Sequence, residues 1–181
     1  KSRARPFLMS LDTQALLEPV IRPESGDALD PRESETFASL NQEIDKLSSL
    51  SAASQPDWAR IEQLGCEFMT QSKDFLVASW LCEAWTQRHA LMGVAAGLSL
   101  MAGLTEKYWD TAVPPVQRLR GRRNAIMWWI DRLLPWLEAK TDVSMGSDLA
   151  ERMVSATRQF DALLSEKDPE APSLARLLGL L

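Results

Sequence analysis

The chain has 181 residues, 45% of them hydrophobic and 25% charged, with a net charge of −5 and a pI near 5.0. Length and composition suit one globular unit with a real core, able to bury roughly 70% of the surface its unfolded chain exposes. The acidic balance argues against a general affinity for nucleic acid or anionic membrane, which needs a basic footprint.

Lys1 to Leu8 carries basic residues with no long apolar run behind them, so it does not read as a signal peptide. From there on, apolar spacing is helical throughout. Leu11 to Val20 makes a short helix closed by Pro19 and Pro23. A polar loop leads to Asp30-Pro31-Arg32-Glu33, which combines an N-cap carboxylate, a first-turn proline and a glutamate three residues after the cap. Behind it, Phe37, Leu40, Ile44 and Leu47 share one face. Ser48 to Gln55 reads as a loop, and Pro56-Asp57 opens a helix striped with Trp58, Ile61, Leu64 and Phe68. Asp74 caps the next, which carries Phe75, Ala78, Leu81, Cys82 and Trp85.

After Arg88-His89 a further helix runs from Leu91 to Tyr108, where Gly93 and Gly97 mark close approach by a neighbouring helix backbone. The uncharged stretch Ala90 to Thr105 is shorter than the roughly 20 residues of a membrane span, so it reads as buried. Pro114 and Pro115 end that helix. A basic segment follows, then a helix with Ala125, Trp128, Trp129, Ile130, Leu133 and Leu134 that Pro135 kinks or ends. Lys140 to Ser147 is a linker. Leu149, Met153, Ala156, Phe160 and Leu163 form another stripe, and Pro172-Ser173 opens a last helix. The expected fold is all-α, a compact bundle of about seven or eight helices in stacked antiparallel pairs.

Catalytic chemistry finds little to work with. His89 is the one histidine, too few for an imidazole metal site, and it reads as a surface or capping residue. No nucleophile elbow, Walker-type loop or dinucleotide fingerprint is present. Cys66 and Cys82 lie in helical apolar stretches and read as free, buried thiols of a reducing compartment. Glu33, Glu35, Glu43 and Asp45 read as a solvated helix face. No catalytic, cofactor-binding or metal-ligating residue is assigned.

Two features rise above background. Seven tryptophans are present, of which Trp58, Trp85 and Trp128 fit apolar stripes, and one or two others are expected to line a groove. Adjacent Trp128 and Trp129 point about 100° apart on a helix. The run Arg118-Leu119-Arg120-Gly121-Arg122-Arg123 places cations at a helix N-terminus, against the macrodipole. Pairing with carboxylates of neighbouring helices, as a clamp on the loop after Pro115, fits that placement best; the rival is a docking patch for a protein partner.

Certain motifs occur in a fixed order: Lys73-Asp74 with Val77-Ala78 and Trp80-Leu81, then Gly93 with Ala96-Gly97-Leu98, then Tyr108-Trp109-Asp110. They culminate in Pro114-Pro115, Arg118-Leu119-Arg120-Gly121-Arg122 and Asn124-Ala125. The set, with the Ser25-Gly26-Asp27 loop and the Asp57-Trp58 helix start, resembles the ImpA-related N-terminal domain of TssA-type proteins of bacterial type VI secretion systems. The resemblance implies a non-catalytic cytoplasmic assembly factor whose partners are baseplate, membrane-complex, sheath or tube proteins, with no nucleic acid, membrane insertion or cofactor. It implies a family domain over 1–143 and a helical extension over 144–181 packing on it. The ring-forming region of such proteins has no counterpart in this chain. Trp109, Asp110, Pro114, Pro115, Arg118, Leu119, Arg120, Arg122, Asn124 and Trp128 become the candidate clamp or interface residues. The rival reading is a generic helical peptide-binding adaptor with a tryptophan-lined groove.

Overall fold

Side-chain acceptors set most of the helix starts. A computed structural model describes residues 11–20, 30–49, 51, 54–140 and 145–181. Pro23, the Ser25-Gly26-Asp27 loop and part of the 140–147 linker lie outside the described residues. Helix α1 (Thr13–Leu16) is capped by Asp12, which accepts from the Ala15 amide. Helix α3 (Trp58–Gln71) is capped by Asp57, and α4 (Phe75–Tyr108) by Asp74, which accepts from the Leu76 and Val77 amides. Each carboxylate satisfies amides that have no partner inside the helix.

The Asp30 start behaves differently from its sequence signature. Asp30 caps only a 3₁₀ turn, Pro31–Glu33, by accepting from the Arg32 amide. Ser34 is extended, and its hydroxyl accepts from Phe37 to open α2 (Glu35–Asp45) one turn later. Two caps stand four residues apart, and the second one governs the longer helix.

Helix α5 (Leu119–Glu138), α6 (Ser147–Lys167) and α7 (Ala175–Leu178) complete seven α-helices with no strand among the described residues. The fold is all-α. Helix α4 is apolar on nearly every side, as a helix surrounded by protein must be. Helices α3, α5 and α6 pack on it, α2 packs on α3, and α7 on α6. Leu81, Trp85, Leu98, Leu100, Phe68, Trp129 and Phe160 fill the space between them.

The expected break after His89 appears as a kink inside α4, where Ala90 sits at φ 50°, ψ −132°. Gly93 makes the bend possible, because a Cβ there would lie 1.9 Å from the Trp85 carbonyl oxygen. A Cβ at Gly97 would meet the Trp129 ring at 2.8 Å. At Gly93 the close approach is therefore to the backbone of the helical segment before Ala90, as expected, and at Gly97 it is to the Trp129 indole and to Cys82 of that same segment, whose Sγ lies 3.6 Å from the Gly97 carbonyl oxygen.

Three local expectations shift. Pro135 does not end α5, which continues to Glu138; the carbonyl whose helical amide it lacks belongs to Asp131, an exposed residue. The α6 stripe runs Met153, Ala156, Phe160 and then Leu164, with Leu163 only partly buried beside it. Glu43 is buried, accepting from Lys46 Nζ at 2.7 Å and the Asp57 amide at 2.9 Å, so it ties α2 to the start of α3.

Candidate functional site

The segment between α4 and α5 is short, carries two prolines, and cannot satisfy its own carbonyls. Trp109 through Pro115 turns away from α4, with Val113 donating to Lys73 O and Phe75 donating to Val113 O, both at 2.8 Å. These two bonds sew the loop to the start of α4. The Val113–Pro114 peptide is cis.

Arg122, in the first turn of α5, fills the inside of this loop and is 0% exposed. Its Nη1 donates to Trp109 O at 2.5 Å, its Nη2 to Ala112 O at 2.7 Å, and its Nε to Pro114 O. The guanidinium carbon lies 4.6 Å from the Trp109 ring centroid and 5.3 Å from that of Phe75, and the two rings meet edge-on. Burial pushes the Arg122 pKa down, opposed by nearby Asp110. An arginine remains charged under such a shift. A planar fork can reach three carbonyls at once, which a single ammonium cannot.

The other arginines of the run have different surroundings. Arg123 pairs with Asp168 at 2.6 Å and Glu170 at 2.6 Å, joining α5 to the segment after α6; the Asp168 hydrogen bond leads in raising its pKa. Arg118, the N-cap residue of α5, and Arg120 are exposed, with no side-chain partner among the described residues. Asp110, Pro115 and Asn124 are also exposed, while Pro114 and Leu119 are partly buried. Pro114 lies against Gly121, where an added Cβ would stand 3.3 Å from its ring. Trp128 faces outward under Arg132, and Trp129 is fully buried with its indole N–H donating to Thr86.

Trp85 is fully buried, as its stripe indicates, and Trp58 and Trp128 pack against the core from its edge. Trp80, Trp85, Trp109 and Trp129 are buried, whereas Trp58, Trp128 and Trp136 keep partly exposed rings. Beside Trp109, Arg122 and Asp168 lies a cavity of about 10 Å³, the size of a single water and too small for a ligand.

Several polar contacts had no signal in sequence spacing. Arg32 forks onto the buried Asp74 carboxylate at 2.7 and 2.9 Å, so the α4 cap is also an ion pair reaching 42 positions back. Lys73 Nζ donates to Leu16 O at 2.5 Å and Met69 O at 2.9 Å, and Tyr108 donates to Leu17 O at 2.7 Å, which together anchor α1. Glu62 receives Arg88 at 2.5 Å and His89 at 3.0 Å beside the kink. Cys66 and Cys82 are free thiols, and burial pushes Cys66 up to about 12. Among the described residues no three His, Cys, Asp or Glu side chains gather as a metal site, and no helix is long and apolar enough to cross a membrane.

A sequence profile of the family "ImpA, N-terminal, type VI secretion system" matches residues 18–131, a span that includes the 109–115 loop and Arg122. The type VI secretion system component TssA1 of Pseudomonas aeruginosa is 37% identical over 62 residues, which cover 34% of this chain and 18% of that protein. The aligned stretch is thus under a fifth of the relative's length. The fold is similar to that of the N-terminal domain, including the conserved ImpA_N region, of the TssA component from Burkholderia cenocepacia. That likeness has a TM-score of 0.61 at 21% identity and covers 98% of this chain and 73% of that one.

Proposed function

This chain belongs to the ImpA N-terminal family of the type VI secretion system, and on that premise we propose that it is a non-catalytic interaction module that docks protein components during tail assembly. The partners proposed are baseplate, membrane-complex, sheath or tube proteins, met in the cytoplasm. The observation that carries this reading is the family match itself, which spans the arginine-filled loop. The chemistry of that loop supports it: Arg122 is fully buried and directs three of its five N–H donors at backbone carbonyls, so it presents no exposed group to a substrate.

In this reading the 109–115 loop and Arg122 are scaffold, and Arg118, Arg120, Asp110 and Asn124 are surface available to a partner. Residues 1–143 form the family domain, and 144–181 form an extension that α6 packs against α4. A two-hybrid matrix of the chain against each sheath, tube, baseplate and membrane-complex protein of the same secretion cluster tests the proposal. Reproducible pairing with at least one of them is expected. Uniform failure, with the chain expressed and folded, overturns it. Thermal-shift screening against divalent metals and nucleotides tests the non-catalytic part, for which no saturable stabilisation is expected.

A further inference from the structure

One shoulder of α5 repeats an aromatic–cation pair. Arg132 lies over the Trp128 ring with its guanidinium carbon 5.2 Å from the centroid, and Lys140 lies over Trp136 at 4.9 Å. The four positions are spaced by four residues; Trp128, Arg132 and Trp136 share one face of α5 over about 12 Å, and Lys140 follows just past its C-cap. Both rings are partly buried, packed against the core on one side and open on the other.

Arg132 is fixed from beneath as well. Its Nε stands 3.3 Å from Glu83 Oε1 on α4, outside hydrogen-bonding geometry, and the Glu83 side chain is 3% exposed. Gln87 donates to the same Glu83 oxygen at 2.9 Å. Arg132 makes no hydrogen bond among the described residues, although its side chain is 36% exposed. A guanidinium held over an indole, with its Nε buried toward Glu83 and its outer Nη donors without a hydrogen bond, is preordered for a carboxylate, and little entropy is lost when one arrives.

We propose that this shoulder docks a short acidic segment of a partner protein, with one carboxylate on Arg132, a second near Lys140, and an apolar side chain between them on Trp136. Arg132 and Lys140 are eight positions apart, with Lys140 just past the helix end, so a short partner segment of helix or extended chain reaches both. Charge argues for this occupant: the stripe offers cations on an otherwise acidic chain, and the adjacent Glu138 is already engaged by Arg176 at 2.6 Å. A lipid surface fits poorly. Two cations near a bilayer contribute only about 1 kcal/mol each, and the chain's net charge opposes approach. The proposal rests on the reading of this chain as an interaction module, but it concerns a face that reading does not specify.

The test is a random peptide library displayed on phage, panned on the parent chain and then measured on Arg132→Lys and Lys140→Glu variants. Arg132→Lys keeps a cation beside Glu83 but loses the planar stack, and Lys140→Glu changes an exposed position, so both are expected to melt within about 2 °C of the parent. The expected result is enrichment of peptides with acidic residues on both sides of an apolar one, binding each variant roughly tenfold more weakly, as for a hot-spot contact. Peptides without acidic residues, or peptides that bind both variants as tightly as the parent, overturn the proposal. So does retention on phosphatidylserine vesicles without any acidic peptide selected, or a dimer that the variants abolish. A chain that binds secretion proteins through another face leaves the broader reading intact while refuting this one.

Discussion

Replacing Arg122 by methionine keeps an unbranched stem of similar reach and removes the guanidinium. Three carbonyls, those of Trp109, Ala112 and Pro114, then lose their donor inside a fully buried pocket. Hydrogen bonds to a charged group contribute about 1.5–3 kcal/mol each in net terms. The variant also sheds the desolvation cost of the cation, and water can enter beside Trp109. Three carbonyls left without a donor cost about 1–3 kcal/mol each, and with these offsets a net loss of about 3–5 kcal/mol follows. At about 2–4 °C per kcal/mol for a chain of this length, the melting temperature falls by roughly 6–20 °C. Circular dichroism melting, checked by urea titration, reads this directly. Arg122→Lys recovers only part of the loss, because one ammonium cannot span three carbonyls. Arg118→Ala and Arg120→Ala, at exposed positions, melt within about 2 °C of the parent. If Arg122→Met also melts within 2 °C, the reasoning about the clamp is wrong.

Ala90→Gly relieves a left-handed backbone at the α4 kink and raises stability by about 0.5–1 kcal/mol, strain relief exceeding the entropy glycine adds to the unfolded chain; a lower urea midpoint for the variant refutes it. Gly97→Ala drives a Cβ to 2.8 Å from the Trp129 ring and lowers stability by about 1–2 kcal/mol, overpacking outweighing the gain in helix propensity; an unchanged midpoint shows that the ring can yield. Burial pushes Lys73 down to about 8, against a raising influence from Glu18. Above that value the folded chain binds fewer protons than the unfolded one, so this group adds stability as pH rises from about 8 to about 10.4. The stability advantage of the parent over Lys73→Met therefore widens across that window, and a flat or narrowing difference contradicts the assignment.

The parts of the fold that were legible in sequence are those fixed by neighbours a few residues away. Asp57 and Asp74 stand directly before apolar stripes, and Pro114-Pro115 cannot continue α4, so these boundaries follow from local chemistry. Asp30 misled because Ser34, one turn on, competes for the same role. The kink at Ala90 was legible only as a change of phase near His89; its backbone conformation depends on Gly93 meeting Trp85. Within the arginine run, four similar side chains have different fates, and the discriminating signal was present. Arg122 precedes Ala125, Ile126, Trp129, Ile130 and Leu133 at spacings of 3, 4, 7, 8 and 11, so it extends the buried stripe of α5 by one turn; Arg120 falls off that stripe, and Arg118, though in phase with it, is the N-cap and lies outside the helix. The expectation of carboxylate partners holds for Arg123, whereas the partners of Arg122 are carbonyls of the loop it follows. Arg32 with Asp74 and Lys73 with Leu16 join positions 42 and 57 apart, and nothing local announces such pairs.

The central claim is that this chain acts by binding proteins of the secretion apparatus. Isothermal titration of the purified chain against each purified baseplate, membrane-complex, sheath and tube protein of its cluster tests it most directly. The account predicts saturable heat with at least one of them, unaffected by divalent metals or nucleotides. No heat with any of them, from a chain whose dichroism remains helical, contradicts it.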